Sequence, residues 1–432
     1  MYPQTQKMAP VTDADEENDA DEADDAVSSP PPPEQKSTTT KRQRLVITST
    51  KPHHQTLTPP ASSSNPHMPP GASLHAPTLP FELIAEILKW LPVKFLLQLR
   101  CVCKSWKSLI YDPQFAKSHL RVSPTVTHLI LTFTNNPSRE FTLRAYSLPS
   151  VFNAVTVSAT QLRYPLNPRK RFDLIVGSCD GILCFAIDQN CALLWNPSIG
   201  KFKKLPPLDN QRCDGSYTIY GFGCDRFSDS YKVVAVFCYE CDIGGVRGYK
   251  TQVKILTLGT DSWRRIQEFP SGVPFDESGK FVNGTVNWLA SSASGSSWIV
   301  VSLDLGKECY RELLQPDYGG VAVVTLTLGV LRDCLCMLSH CDTFSDVWLM
   351  KDYGNKESWT KLFSVPYMGN PDSFPYTKAL YISEDDQVLL EFQSKLVVYN
   401  PRDGTFKIPE IQNINGWVVP EVYAESLISP CF

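Results

Sequence analysis

The sequence of 432 residues lacks any apolar run long enough to cross a membrane. A membrane-spanning helix needs about 18 or more consecutive apolar residues, and none of the apolar stretches approaches that length. The opening stretch MYPQTQKMAPVTDADEE also lacks the apolar segment behind a basic start that marks a secretory signal. We therefore expect a soluble intracellular protein, located in the nucleus, the cytoplasm or both.

Basic residues are not in excess either. The net charge is −4 and the isoelectric point is near 6.0, whereas a general nucleic-acid binder would present a strongly basic face. No glycine-rich stretch is followed by a helix-forming segment, as a phosphate-binding loop requires. The composition thus argues against nucleic acid as a partner and against a nucleotide cofactor.

Histidine is scarce, and only His119, His128 and His340 follow the polar N-terminal tail. His119 stands in a helical pattern and His128 in a strand-like one, where structural roles are expected. The G-x-S-x-G motif of a hydrolase nucleophile is absent from the sequence. These observations predict a protein that is not an enzyme, with no catalytic residues.

Cysteine, in contrast, is abundant at 14 residues. Without an export signal a reducing compartment is expected, where thiols stay free. Cys184, Cys334 and Cys336 stand inside apolar strand-like runs, where a thiol acts as a small hydrophobic group. Cys238 and Cys241 have the spacing of half a zinc site, but no suitable second pair accompanies them. We therefore predict no metal site.

Residues 1–77 have the composition of a disordered tail. A block of like charge, DADEENDADEADD at 13–25, is followed by PPPP at 30–33 and by Ser/Thr/Pro-rich sequence. Such a composition cannot bury enough apolar surface to offset the loss of chain entropy. KRQR at 41–44 is either a nuclear-import signal or a solvated stretch, and both interpretations stay open.

From residue 79 onward apolar residues recur at helical spacing. Pro80 suits the first turn of a helix, and Pro92 limits that helix because it lacks an N–H. Asp112-Pro113 ends a second apolar series, and a last short helix follows. We predict three helical pieces, whose first two apolar series are Leu83, Ile84, Ile87, Leu88 and Leu91, then Leu96, Leu99, Cys103, Trp106 and Ile110.

After residue 122 the apolar period shifts toward two, which predicts an all-β region of short strands. The pattern repeats, with a polar turn followed by an aromatic that opens a short strand. A period of about 47–49 residues fits one four-stranded propeller blade, and a less regular unit at 126–150 brings the predicted number to about six. An apparent insertion at 238–250 lengthens the first step. The repeated aromatics are Phe202, Trp263, Tyr310, Trp359 and Phe406.

Residues 79–120 resemble an F-box over the whole length of that motif. The matches are Leu79-Pro80, Glu86-Ile87-Leu88, Leu91-Pro92, the run RCVCKSW that ends at Trp106, and Asp112-Pro113-x-Phe115. The resemblance implies a three-helix unit that docks on the Skp-family adaptor of a cullin-based ubiquitin ligase. The adaptor-binding residues carried over by motif position are Leu79, Pro80, Leu83, Ile87, Leu88, Leu91, Pro92, Leu96, Val102 and Trp106.

Periodicity alone allows a different interpretation of these residues. They would equally form the inner core of a helical cap on the propeller, and Trp106 in particular is a candidate for the core of the motif itself. The two interpretations predict opposite exposure for the same side chains.

The β region is similar to the kelch-like F-box-associated domain that accompanies such motifs in plants. The similarity rests on VGSCDGILC at 176–184, LWNPSIGKFKKLP at 194–206, FVNGTVNWLA at 281–290 and DVWLMKDYGNKESWTKLF at 346–363. Together the resemblances imply an α+β multidomain chain. It has a disordered tail at 1–77, an all-α F-box at 78–121 and an all-β propeller of about six blades at 122–432.

The resemblance implies a non-catalytic substrate-recognition adaptor of a Skp–cullin–F-box (SCF) E3 ubiquitin ligase. The F-box would bind the Skp-family adaptor and, through it, a cullin, and the propeller would present an unidentified target protein for ubiquitination and proteasomal degradation. No cofactor, nucleic acid or membrane is implied. Two alternatives stay open: a propeller-type enzyme or ligand- or carbohydrate-binding protein with a helical cap, and an F-box scaffold without a ligase role.

Target-binding residues of such propellers usually lie on loops between strands. The candidate loops are 239–250, 270–279, 316–322, 366–377 and 411–418. Their aromatic residues are either anchors for a target or packed parts of the loops, and the sequence does not decide between these roles. The aromatics in question are Tyr318, Tyr367, Phe374 and Trp417.

Overall fold

The computed structural model describes most of the chain from Leu79 onward. The predicted tail at 1–77, including KRQR, lies outside the described residues, as do Phe374 and Trp417. In the described part no helix is long and apolar enough to span a membrane. The described residues are 79–123, 126–135, 140–153, 156–167, 173–211, 215–243, 246–270, 272–275, 278–292, 297–368, 378–392, 395–411 and 418–431.

Four short helices precede the β region: α1 Phe81–Leu88, α2 Val93–Leu99, α3 Lys104–Tyr111 and α4 Pro113–Val122. Pro80 stands directly before α1, and α1 ends at Leu88, before the Pro92 that was predicted to limit it. Pro92 itself stands directly before α2. The second apolar series was expected to form one helix, but the extended backbone of Cys103 divides it into α2 and α3. Asp112 then begins α4, because its Oδ1 accepts the N–H of Phe115 at 2.8 Å.

In the rest of the described chain the regular structure is β-strand, apart from one further helix, α5 Leu148–Asn153, and a 3₁₀ turn at Lys356–Ser358. In chain order the strands are β1 Thr127–Asn135, β2 Glu140–Ser147, β3 Thr156–Val157, β4 Thr160–Leu162, β5 Leu174–Cys179, β6 Ile182–Asp188, β7 Cys191–Asn196, β8 Lys201–Lys204, β9 Tyr217–Asp225, β10 Ser230–Ile243, β11 Val246–Thr257, β12 Arg264–Arg265, β13 Lys280–Val282, β14 Thr285–Ser291, β15 Trp298–Asp304, β16 Tyr310–Leu313, β17 Thr325–Leu331, β18 Cys334–His340, β19 Phe344–Met350, β20 Trp359–Pro366, β21 Lys378–Ile382, β22 Val388–Phe392, β23 Lys395–Asn400, β24 Thr405–Lys407, β25 Glu410–Ile411 and β26 Val418–Ala424.

These strands form a six-bladed propeller, which confirms the predicted fold. Blades 2 to 6 are β5–β8, β9–β12, β13–β16, β17–β20 and β21–β24, each an antiparallel sheet in sequence order. Blade 1 has the order β26-β1-β2-β4, so the last strand of the chain pairs with the first one of the β region. The inner strands β26, β5, β9, β13, β17 and β21 contact one another in a closed ring. A two-stranded parallel pair, β25 with β3, joins the ends of blades 6 and 1.

Each blade is apolar on both faces, so stacking covers what a single sheet cannot. Among the described residues six buried apolar clusters lie between successive blades, one at each interface. The cluster between blades 2 and 3 continues into the helices, where it includes Leu88, Leu96 and Phe115. The helices therefore share a core with one side of the propeller.

The repeated aromatics stand at or beside the outermost strands of blades 2 to 6, as their spacing predicted. Three of them also hydrogen-bond to the chain that leaves the preceding blade. Trp263 Nε1 donates to Pro206 O at 2.7 Å, and Trp359 Nε1 donates to Leu314 O at 2.9 Å. The hydroxyl of Tyr310 makes the equivalent contact between blades 3 and 4. The aromatic therefore stabilises the contact between neighbouring blades.

The two ends of the propeller differ in the connections that they carry. We call the end with the turns between first and second strands and between third and fourth strands the helix face. The helices meet this end, because Lys117 pairs with Asp229 in the β9–β10 turn and Lys201, after the β7–β8 turn, contacts the ring of Tyr111. The opposite end, with the connections between second and third strands and between blades, is the loop face.

The described parts of the five candidate target-binding loops adjoin strand ends at the loop face, whereas 369–377 and 412–417 lie outside the described residues. One of the five is not a loop, however: within 239–250, β10 and β11 continue as paired strands as far as Ile243 and Val246. The inserted residues therefore lengthen a hairpin of blade 3. The apolar–polar alternation in CYEC and in VRGYK extends over too few residues to predict two paired strands there.

Candidate partner-binding surface

Helix α1 has two apolar stripes, and only one of them faces the core. Ile84, Leu88 and Leu91 pack into the cluster shared with the blades. The residues of the second stripe are spaced by three and four positions, so they lie on one face of the helix. Their side chains are 50–61% exposed. The second stripe consists of Leu79, Leu83, Ile87 and Trp90.

The exposed stripe belongs to a larger concentration of apolar residues. Nine of the nineteen exposed large hydrophobic side chains in the described part of the chain lie between Leu79 and Val122. Single exposed leucines are ordinary, but a concentration on one small unit marks an interaction site. We define the exposed helical set as Leu79, Phe81, Leu83, Ile87, Trp90, Phe95 and Val102.

The ten residues carried over from the motif fall into three groups. Leu79, Pro80, Leu83, Ile87 and Val102 are exposed, and Leu91, Pro92 and Trp106 are partly buried. Leu88 and Leu96 are buried, at 2% and 0% exposure. In this conformation these two leucines hold the helices together and are not accessible to a partner. The assignment of the ten residues to adaptor binding itself stays a prediction.

Motif reasoning did not include Phe81, Trp90 and Phe95, which are exposed beside the carried-over residues. Trp90 follows Ile87 by three residues, so helical periodicity would have placed it on the exposed stripe. No periodic pattern predicts the exposure of Phe95. Its helix, α2, buries Val93 and Leu96, the residues on either side in the apolar sequence.

The surroundings of the exposed helical set are basic. Residues 79–123 contain seven Lys and Arg against three Asp and Glu, although the whole chain carries a net charge of −4. Glu86 is neutralised by Lys89 at 2.6 Å, whereas Lys94, Lys104 and Lys107 are exposed. A matching partner surface would be apolar with acidic residues around it.

Internal hydrogen bonds fix the helices to one another. His119 Nε2 donates to Leu91 O at 2.8 Å, which joins α4 to the turn after α1. Burial lowers the pKa of His119 more than this hydrogen bond raises it, so the ring is neutral at pH 7. Arg100 donates to the hydroxyl of Tyr111 at 2.6 Å and joins α2 to α3. The exposed helical set thus stands on a preorganised support.

Among the described residues no group of three His, Cys, Asp or Glu is placed to hold a metal ion. His340 is hydrogen-bonded to Thr327 and Ser345, and burial lowers its pKa to about 4. His128 contacts Glu425 at 2.9 Å. Burial raises the pKa of Cys238 to about 12, so this thiol stays protonated at pH 7.

The open question about the loop aromatics is answered for two of the four. Tyr318 donates to Gln315 Oε1 at 3.0 Å and packs edge-on against Trp348. Tyr367 donates to Cys341 O at 2.8 Å. Both are packed parts of their loops. Exposed apolar side chains at the loop face are instead Leu174, Tyr249, Phe275, Leu314, Val321, Val324 and Ile408.

Comparison with known proteins agrees with this architecture. The family model of the F-box domain matches residues 77–118, and that of the F-box associated beta propeller domain matches residues 141–430. An F-box/kelch-repeat protein of Arabidopsis thaliana is 37% identical over 363 residues, which cover 82% of this chain and 96% of that protein. The F-box protein CPR1 of the same plant is 28% identical over 379 residues, covering 82% and 89%.

Among solved structures, a chain of a nidogen/laminin complex covers 69% of this chain and 98% of its own length. Its sequence identity is 9% and its TM-score is 0.41, so no functional argument follows from it.

Proposed function

The chain belongs to the F-box proteins that carry an F-box associated beta propeller domain, and we propose that it is the substrate-recognition subunit of a Skp–cullin–F-box ubiquitin ligase. Its helices bind a Skp-family adaptor and, through it, a cullin, in the nucleus, the cytoplasm or both. Its propeller holds a target protein for ubiquitination and degradation. The chain contributes no reacting group and acts by raising the local concentration of the target at the transfer site.

The observation that carries this proposal is the exposed apolar stripe of α1. Fully burying a Leu or Ile side chain contributes about 1.5–3 kcal/mol, and each member of the stripe is about half exposed here. Four such residues beside Phe95 and Val102 suffice for the centre of an interface of about 1,600 Å² after the cost of association. A helical cap whose only role was to cover the propeller would turn these residues inward.

The test compares adaptor binding by the wild type and by Leu83→Ala/Ile87→Ala. Both side chains are exposed, so the variant should keep its fold while losing affinity for a Skp-family adaptor by about 10- to 100-fold. Titration calorimetry measures the affinity, and circular dichroism confirms folding. Leu314→Ala/Val324→Ala, which removes two exposed apolar side chains of the loop face, is the matched control and should bind like the wild type.

Failure of the folded wild type to bind any Skp-family adaptor would favour the helical-cap alternative. Equal affinity of the wild type and the Leu83→Ala/Ile87→Ala variant would show that the adaptor uses another surface. An adaptor-binding chain whose partners are not turned over, with or without proteasome inhibition, would act as a scaffold instead of a ligase subunit.

For the target we propose the loop face. Seven exposed large apolar side chains lie there, whereas outside the helices the described part of the helix face exposes three, Val126, Phe202 and Phe227. Phe275 stacks edge-on against Trp298 with ring centres 4.7 Å apart, which gives it a fixed position at half exposure. This arrangement supports capture of the target at the end of the propeller opposite to the adaptor.

Crosslinking from the loop face tests this part of the proposal. A photoreactive residue at position 275 should capture target proteins from a cell extract that contains the native chain's partners. The same residue at Phe227, which is 98% exposed on the helix face, is the control. Equal capture from both positions would remove the preference for the loop face.

A further inference from the structure

The same turn motif occurs in blades 2 and 6 with different consequences. WNPSIGKF at 195–202 and YNPRDGTF at 399–406 both connect the third strand of a blade to the fourth. In each, the asparagine Oδ1 accepts the backbone N–H two residues later, at 2.9 Å for Asn196 and 3.1 Å for Asn400. The side-chain carbonyl of the asparagine therefore stabilises the turn in the same way in both blades.

The two asparagines differ in the partners of their side-chain amide nitrogens. Asn400 Nδ2 donates to Asp403 within its own exposed turn, at 2.9 Å. Asn196 is fully buried, and its Nδ2 lies 3.1 Å from Ser426 O, 3.0 Å from Ser426 Oγ and 2.8 Å from Ile428 O. These partners follow β26 and stand 230 residues later in the sequence. Asn196 thus ties the C-terminal segment, which we define as residues 425–431, to blade 2.

Blade 2 holds this segment at a second point. The hydroxyl of Ser426 donates to Asp180 O at 2.6 Å, in the β5–β6 turn. The next residue is Gly181, with a φ of +78°, where a Cβ would overlap with the Ser426 side chain. Only glycine fits this turn beside the segment. Leu427 and Ile428 are buried directly after these contacts.

The other side of the segment faces the helices. Leu427 and Ile428 belong to the same buried cluster as Ile110 of α3 and Ala116 of α4. A small cavity of about 90 Å³ at this contact is lined by α3, α4, the β7–β8 turn and the C-terminal segment. The segment is therefore the layer that lies between the helices and blade 2.

We propose that the C-terminal segment, held by Asn196, fixes the helices on the propeller and so sets the distance and orientation between the exposed helical set and the loop face. The ion pair of Lys117 with Asp229 also joins the two parts, but it is partly exposed and contributes at most about 1 kcal/mol. The consequence for ubiquitin transfer rests on the proposed function, since a target must be held at a defined place relative to the adaptor.

Hydrogen exchange measured by mass spectrometry on Asn196→Asp and Asn400→Asp tests the proposal. Aspartate keeps the oxygen that caps the turn but places a second oxygen where Asn196 donates to three oxygens. In Asn196→Asp the amides of residues 425–431 and of α3 and α4 should exchange at least tenfold faster, with blades 5 and 6 unchanged. Asn400→Asp should change only its own turn.

A second variant, Leu427→Ala/Ile428→Ala, keeps Ser426 and the rest of the C-terminal segment and introduces no charge. It should show the same faster exchange in α3 and α4. Unchanged exchange of α3 and α4 in this variant, or a uniform increase over all blades in both variants, would overturn the proposal. Adaptor affinity, measured in parallel, should stay within twofold of the wild type. A wild type without adaptor affinity would contradict the proposed function and leave the exchange result valid.

Discussion

Two tryptophans show how differently the two regions of the molecule treat apolar residues. Trp288 in blade 4 is 1% exposed and packs edge-on against Phe269 of blade 3. Trp90, which follows Ile87 by three residues on the exposed stripe of α1, is 61% exposed. Both follow a clear apolar period in the sequence. The period therefore tells how many faces of an element need a cover, and the fold decides whether a neighbour in the same chain supplies it.

In the blades the neighbour is always present, because the ring is closed. Each sheet has a further sheet on both sides, and six buried clusters among the described residues fill these interfaces. The helices have the propeller on one side only. Their second apolar side is what distinguishes a docking unit from a structural cap.

The largest expected effect is a difference in the free energy of unfolding between alanine variants of the two tryptophans. Trp288→Ala should lower the free energy of unfolding by about 3–5 kcal/mol, since it empties a closed interface between blades. Trp90→Ala should change it by no more than about 0.5 kcal/mol, because its side chain is already mostly solvated. Urea unfolding followed by circular dichroism measures both. Comparable losses for the two variants would mean that α1 is covered in solution.

Much of this division was predictable from particular residues. Pro80 marked the start of α1, Pro92 marked a limit that α1 does not pass, and the spacing of the five repeated aromatics predicted the blades. The assignment of Leu83 and Ile87 to adaptor binding stays a prediction, and both side chains are exposed. The burial of Leu88 and Leu96 could not be predicted, because helical spacing defines relative faces and does not tell which face the propeller covers.

The closure of the ring and the C-terminal segment lay beyond sequence reasoning for a different reason. Leu129 pairs with Val422, almost three hundred residues later, and nothing in either strand names its partner. Asn196 and Asn400 stand in nearly the same motif, yet only one is buried under the chain terminus. Long-range contacts of this kind follow from the assembled fold and leave no local pattern.

A smaller effect is expected from pH, through His340 of blade 5. Burial lowers the pKa of His340 to about 4, so the folded state keeps the ring neutral where the unfolded chain takes up a proton below about pH 6.5. The folded state therefore has its full stability above about pH 6.5, and protonation of His340 in the unfolded chain lowers that stability as the pH falls toward 4. Between pH 7 and pH 5 the loss should be about 2 kcal/mol.

His340→Gln removes the titrating group and keeps a side chain that can hydrogen-bond to Thr327 and Ser345. Its urea midpoint should therefore fall less than that of the wild type between pH 7 and pH 5. His119 contributes a loss of the same sign in the helices, since burial also lowers its pKa. An identical fall in the wild type and in His340→Gln would show that the blade histidine is not the cause.

The smallest predicted effect concerns the helices alone. Asp112 begins α4 by accepting the N–H of Phe115 at 2.8 Å, and Asp112→Ala should destabilise that helix by about 1 kcal/mol. Asp112→Asn keeps the accepting oxygen and should stay close to the wild type. Because α4 carries His119 and Lys117 toward the rest of the molecule, hydrogen exchange should rise in α4 and leave blades 4 to 6 unchanged. A rise of equal size in those blades would show that the helices and the distant blades open together, and the contrast between a locally stabilised docking unit and a self-covering propeller would not hold.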